Sequence, residues 1–226
     1  MVTEPRGQLP ALSSEQLAAF RRAGQPRSYR QGDRIVGEGD RSVFVVVIES
    51  GKVKVEAAES ETGKSSVLTL RGAGDLIGEF GCIDEGPRCA SVIALTPVQA
   101  RIIPSAQFHR LLKTRGDILF TLLRIVIARV RESDRRRVEL GAYSPIGRVG
   151  RMLLEFAEQH GEPDGDGSIK LHLSQRDVQG AAGVSKKTVS RAFRDFTRHG
   201  VISMGRGEIV IRDLALLRTI VTPDQV

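Results

Sequence analysis

Two short stretches of this chain carry side chains whose types and spacing can do chemistry. The first runs from Leu173 to Phe196. Ser174 is followed three residues later by the carboxylate of Asp177, the reciprocal pattern that satisfies free N–H groups at a helix start. Val178, Ala181 and Ala182 then fall on one helical face. Gly183 supplies a tight turn and Ser185 can cap a second helix. In that helix Val189, Phe193 and Phe196 form an apolar stripe, which leaves Lys186, Lys187, Ser190, Arg191 and Arg194 on the opposite face. Across the 21 residues from Lys186 to Arg206, six cations stand against one anion, Asp195. Two short helices joined by a Gly turn, the second basic outside and apolar inside, read as a helix-turn-helix sized for a DNA major groove. The predicted DNA contacts are Ser174, Gln175, Ser185, Lys186, Lys187, Ser190, Arg191 and Arg194. A basic face is often only a solvated face, but here charge density, capping and turn chemistry agree on duplex DNA.

The second stretch is Leu76-Ile-Gly-Glu-Phe80 followed by Gly86-Pro-Arg-Cys-Ala90. A Gly with free backbone N–H groups and a nearby Arg suit a phosphate, because the guanidinium brings a permanent charge and a fork of donors. Glu79 can accept from a ribose hydroxyl. On chemistry alone a surface Glu–Arg pair explains these residues equally well. The chain offers no nucleophile–base set, no Walker-type phosphate loop and no metal-ligand spacing, so an enzyme is not indicated.

The elements around these stretches differ in kind. Ser13 to Gln16 repeats the capping pattern before a short helix carrying Leu17 and Phe20, after a loose lead-in over residues 1 to 12. From Arg27 to about Pro104, short Val- and Ile-rich runs alternate with Gly-containing turns, among them Gly32-Asp33, Ser50-Gly51 and Glu61-Thr-Gly63. That punctuation predicts an all-β barrel or jelly roll rather than βαβ units. Asp117 can cap a long helix reaching about Leu140. Leu119, Leu122, Val126 and Val130 recur in it at three- and four-residue spacing, widened by Leu123 and Ile127, and predict a homodimer seam. Tyr143-Ser-Pro145 breaks the helix and marks a hinge. Ile146–His160 is amphipathic, and Val201–Met204 with Glu208–Ile211 forms a hairpin after the helix-turn-helix, a wing.

A chain of 226 residues has room for two cores, and its net charge of +7 suits a polyanionic partner. No apolar leader or membrane-length apolar run is present, and the two cysteines, Cys82 and Cys89, do not make a disulfide scaffold. These features predict a cytoplasmic protein without a membrane partner. With no Trp and two Tyr, the chain has little surface for stacking single-stranded bases.

A β-roll bearing Gly78-Glu79-Phe80 and Arg88, then a long helix, then Gly183-Val-Ser-Lys-Lys-Thr-Val-Ser-Arg191 in a winged helix-turn-helix, resembles the CRP/FNR family of bacterial transcription regulators. The similarity runs from about Leu17 to Ile211. It implies an α+β architecture: a cyclic-nucleotide-binding β-roll (jelly roll) over 13–115, a dimerisation helix and hinge over 116–142, and a winged helix-turn-helix over 143–226. It further implies a homodimer on a palindromic operator, contact with RNA polymerase, and a small effector such as cyclic AMP. The effector would be held by Gly78, Glu79, Phe80, Arg88, Cys89 and Ser133, with Asp134 at the position reaching from the partner subunit. The chain departs from the family pattern where Ser or Thr usually follows the Arg (here Cys89), at Asp134, and at Lys186 and Lys187. Relatives that use iron–sulfur clusters or haem need ligands this chain lacks: it has two cysteines, and its four histidines lie outside the β-rich stretch from Arg27 to Pro104. The alternatives are a constitutive regulator, or one sensing another ligand or a thiol redox signal through a diverged pocket.

Overall fold

The computed structural model describes residues 10–41, 43–58 and 65–221, so the turn at Glu61–Gly63 lies outside the described residues, as does the side chain of Leu140. In chain order the elements are α1 (Ser14–Ala23), β1 (Gln25–Tyr29), β2 (Arg34–Val36), β3 (Phe44–Ser50), β4 (Val53–Ala58), β5 (Ser65–Arg71), β6 (Leu76–Ile77) and α2 (Glu79–Ile83). Next come β7 (Ser91–Ala94), β8 (Val98–Pro104), α3 (Ser105–Thr114), α4 (Gly116–Ala142) and α5 (Pro145–His160). The chain then forms β9 (Glu162–Pro163), β10 (Ile169–Leu171), α6 (Gln175–Ala182), α7 (Lys186–Arg198), β11 (Ile202–Gly205), β12 (Glu208–Ile211) and α8 (Leu214–Val221).

The first eight strands make two antiparallel sheets, ordered β1-β8-β3-β6 and β2-β7-β4-β5. Strand β3 shows why its sequence is a continuous apolar run. Val46 and Ile48 face the second sheet with Ile35, Val53, Val92 and Val98. Val45 and Val47 face the other way, toward Phe20, Phe108, Ile118 and Leu122. A strand buried on both faces has no polar positions to alternate with. Leu12, read from the sequence as part of a loose lead-in, is buried in that second core.

Helix α4 runs the predicted length, but its faces divide differently from the predicted seam. Ile118 and Leu122 are buried against the roll, and Val126 is half-buried. The exposed apolar stripe is Leu119, Leu123, Ile127 and Val130, with Phe120 beside it. Leu122 therefore belongs to the roll's own core and not to an outward seam. Spacing alone could not separate the two sides, because a stripe this wide presents two neighbouring faces. Asp117 lies inside the first turn and not at the cap. Its carboxyl is held at about 2 by the Arg115 side chain that donates to it.

C-terminal to α4, helices α5 to α8 surround a separate, third core of Leu153, Phe156, Val178, Val189, Phe193, Phe196, Ile209 and Leu217. Strands β11-β12-β10-β9 close it with a small antiparallel sheet. Val67 and Leu70 of β5 also enter this core, so the roll and the C-terminal region share apolar packing.

Candidate functional site

The capping expected at the helix-turn-helix is present. Ser174 caps α6, its hydroxyl accepting from the Asp177 N–H while the Asp177 carboxylate accepts from the Ser174 N–H at 2.8 Å. Gly183 ends α6 in the left-handed region at φ 58, where a side chain would be strained, and Ser185 caps α7. Helix α7 buries Val189, Ala192, Phe193 and Phe196. Ser185, Lys186, Lys187, Arg191 and Arg194 are exposed together on its outer side. Ser190 is half-buried, and its hydroxyl accepts from Gln175 Nε2 at 2.8 Å, which ties the first helix to the second. Two of the predicted contacts, Gln175 and Ser190, are thus partners of each other in this structure.

Ser174 and Gln175 also sit where α6 meets the roll. Gly180 lies so close to β5 that an added Cβ would come 3.0 Å from both Ser66 Cα and Val67 N. Beside it Lys54 Nζ reaches Asp177 Oδ1 at 2.6 Å and Glu56 at 3.0 Å. Burial works against the Lys54 cation, but hydrogen bonds to the two carboxylates outweigh it and raise its pKa above the ordinary value.

In the roll, Gly78, Glu79, Phe80, Arg88 and Cys89 converge on one cavity of about 190 Å³ beneath α4. Arg88 is buried, and its guanidinium donates to the Gly78 and Phe44 carbonyls and lies 5.1 Å over the Phe44 ring. Gly78 has φ +82, and a Cβ there would strike this guanidinium, so only glycine leaves room for it. Arg88 is therefore a framework side chain as well as a cation facing the cavity. Cys89 is exposed yet lines the cavity, whereas Cys82 is buried in the roll's core. Burial pushes the Cys82 thiol up, away from the reactive thiolate.

Two cavity residues were not singled out from sequence. Arg129 of α4 forms an ion pair with the buried Glu79 and donates to the Leu76 carbonyl at 3.0 Å. Arg71, at the end of β5, is buried on the same wall. For Arg129 the signal was helical phase, since it follows Ile118 and Leu122 on the inward face of α4, whereas Arg71 ends a strand and had no such signal. Ser133 and Asp134 do not line the cavity in the single chain, although Arg129 one turn earlier does. One turn further on, Arg136 donates to Glu132 at 2.6 Å, to Glu155 of α5 at 2.7 Å, and to the Leu68 carbonyl of β5. This cluster joins α4, the roll and the C-terminal region next to the cavity wall.

Comparison with known proteins settles the lineage. Residues 26–115 match the cyclic nucleotide-binding domain, and residues 147–220 match the Crp-like helix-turn-helix domain. The chain belongs to the CRP/FNR family. This regulator is 29% identical over 198 residues to the CRP-like cAMP-activated global transcriptional regulator of Mycobacterium tuberculosis, covering 87% of this chain and 88% of that one. It is also 29% identical over 196 residues to the Cyclic AMP receptor protein of Thermus thermophilus, again covering 87% and 88%. Among solved structures, the c-di-GMP responsive global regulator CLP of Xanthomonas campestris superposes with a TM-score of 0.74 over 89% of this chain and all of that one. At 19% identity that likeness concerns the fold alone. The CRP/FNR chain is thus a DNA-binding transcription regulator with an effector domain, and not an enzyme. Among the described residues no helix is long and apolar enough to cross a membrane.

Proposed function

We propose that this CRP/FNR regulator is a cytoplasmic homodimer whose affinity for a palindromic operator is set by a cyclic nucleotide bound in the roll. The convergence of Gly78, Glu79 and Arg88 on one cavity beneath α4 carries this reading. A phosphate entering beside Gly78 meets a guanidinium already fixed by two carbonyls and a ring, so little freedom is lost on binding. The ribose-accepting carboxylate of Glu79 is shared with Arg129, which links the ligand to α4. Relatives named as cAMP-activated at 29% identity support the effector class.

The exposed stripe Leu119, Leu123, Ile127 and Val130 supports pairing through α4, with residues 13–115 sensing, 116–142 pairing and 143–226 reading DNA. Contacts with bases and phosphates then come from Lys186, Lys187, Arg191 and Arg194, aided by Ser174, Gln175, Ser185 and Ser190. Cys89, Phe80, Ser133 and the partner's Asp134 complete the effector set once two chains meet. RNA polymerase is the downstream partner. Calorimetry with cyclic AMP and cyclic GMP tests the reading, with sedimentation of the same sample as a check on pairing. Saturable binding near one site per chain, on a dimer, is expected. Absence of binding by either nucleotide would leave a constitutive regulator or one with a different effector.

A further inference from the structure

Two carboxyl groups meet where the roll, α4 and α5 join, away from both the effector cavity lining and the outer face of α7. Glu132 of α4 and Glu155 of α5 are both buried. They come from opposite sides of the chain break at Ser144, whose hydroxyl caps α5. One nitrogen of Arg136, Nη2, donates to both, at 2.6 Å to Glu132 and 2.7 Å to Glu155. Its Nη1 donates to the Leu68 carbonyl of β5. The two carboxyl groups also lie within hydrogen-bonding reach of each other. Two ionised carboxylates only accept, so this contact requires one shared proton. Like charges this close and this buried do not both ionise.

Around the pair stand Arg136 on α4, Arg71 on β5 and His160 on α5, with Lys52 of the roll beside His160. Burial, and then the Glu155 carboxyl, raises the Glu132 pKa against the opposing pull of Arg136 and Arg71. Swinging α5 away from α4 separates the pair and returns Glu132 toward its ordinary 4.5. This arrangement therefore holds a proton that an opened one releases. Its advantage is full below 4.5 and is lost as pH rises through the raised value. His160, held neutral here, responds to acid in the opposite direction.

The arrangement so favoured also crowds the DNA side. Gln175, Arg176, Gln179 and Lys186 share a cleft of about 520 Å³ with Ser65 and Ser66 of β5. In a helix-turn-helix on DNA the first helix crosses the backbone and the second lies in the groove, so that space belongs to the duplex. We infer that Glu132 and Glu155, clamped by Arg136, form a proton-sharing latch across the hinge that holds the helix-turn-helix against the roll and off DNA until the proton leaves. The latch works in the effector-free chain and stands apart from the cyclic-nucleotide reading.

The test is DNA affinity of the effector-free full chain between about pH 5.5 and 8, by fluorescence anisotropy on a duplex that wild type selects from random sequence. Glu132→Gln keeps the shape and offers an N–H to Glu155 where the shared proton stood, which fixes the latch shut at every pH. Glu158→Gln makes the same change of charge on α5, in a pair with Arg218 of α8, and is the control. The affinity of wild type relative to Glu132→Gln should rise with pH, by up to about tenfold per unit for one proton per chain. Taking this ratio removes the contribution of His160, which both proteins share. Losing a negative charge by itself strengthens binding to DNA. Weaker binding by Glu132→Gln than by wild type at the upper pH, with Glu158→Gln equal to wild type or tighter, therefore marks the latch. Glu155→Gln should repeat the Glu132→Gln result, and thermal melts verify that each variant folds. A ratio flat across pH, or Glu132→Gln binding as tightly as Glu158→Gln, overturns the inference.

Discussion

The effector cavity and the recognition helix both gather arginines, yet they treat the charge in opposite ways. On α7 the cations stand in water, side by side, with one carboxylate, Asp195, near Arg198 at 3.9 Å. In the cavity Arg71, Arg88 and Arg129 are withdrawn from water and mostly held by carbonyls, a ring or Glu79. Surface cations cost the fold almost nothing and remain available to a polyanion. Buried cations are expensive unless satisfied, so each one constrains what else can enter the cavity. The first arrangement is built for affinity, the second for selection.

Removing a carboxylate should expose that difference most sharply. Glu79→Ala leaves Arg129 facing two other guanidiniums without a counter-charge, and breaking a buried pair costs about 3–5 kcal/mol. Chemical denaturation should show a loss of that size. Arg191→Ala, by contrast, should leave the unfolding midpoint in place and reduce only DNA binding. If Glu79→Ala unfolds at the wild-type midpoint, the cavity charges are better hydrated than their burial indicates.

A second way to test the contrast is pH, through His160 at the end of α5. Burial, then Arg71 and Lys52, lower its pKa to about 4, and its Nε2 is buried with no hydrogen-bond partner among the described residues. The folded state therefore holds His160 neutral. Its contribution is fully present above the ordinary value near 6.5 and is lost as pH falls toward 4. A displacement of that extent corresponds to roughly 3 kcal/mol. Glu132 runs the other way, because burial raises its carboxyl and stability from it is gained on acidification. Denaturation midpoints of wild type and His160→Leu between about pH 7 and 4.5 separate the two. Wild type should weaken on acidification, and the variant should hold level or gain.

These two regions were unequally legible in the sequence, for a physical reason. The helix-turn-helix is built from near neighbours: Ser174 with Asp177, Gly183 at the turn, Ser185 with Thr188. Each such contact spans three residues or so, and local spacing reveals it. The cavity is built from pairs separated by tens of residues, such as Glu79 with Arg129, or Arg88 with the carbonyl of Phe44. Motif spacing revealed Gly78, Glu79 and Arg88, but not Arg71 or Arg129, which enter from β5 and α4. The same limit displaced Leu122 from the outward seam, since only the packed roll decides which half of a broad stripe it covers.

A smaller effect is expected at the DNA surface itself. Lys187 is exposed in the first turn of α7, where a recognition helix reaches base edges. Lys donates only, so Lys187→Glu should change the selected base at one pair per half-site, by about 1–3 kcal/mol. Selection from random duplexes reads this directly. A motif that stays the same while binding weakens uniformly would make Lys187 a phosphate contact, adding salt dependence without sequence information.

The smallest effect joins the two regions. Helix α6 is the element that crosses the DNA backbone in a helix-turn-helix, yet here it lies against β5, with Gly180 on Ser66 and Asp177 on Lys54. The Lys54 ammonium, about one-fifth exposed, is shared between Asp177 and Glu56, so it holds α6 to the roll without being deeply buried. Lys54→Met keeps the apolar stem and removes only the charge, whereas Asp177→Ala would also destroy the cap of α6. A partly exposed pair of this kind contributes up to about 1 kcal/mol. If docking on β5 competes with docking on DNA, Lys54→Met should strengthen operator binding without effector by up to about fivefold, with little change when effector is saturating. Fluorescence anisotropy at fixed salt measures both conditions. A gain of that size confined to the effector-free protein ties the ion pair to regulation. Equal affinities with and without Lys54 would make the pair a stabilising contact that persists when the protein sits on DNA.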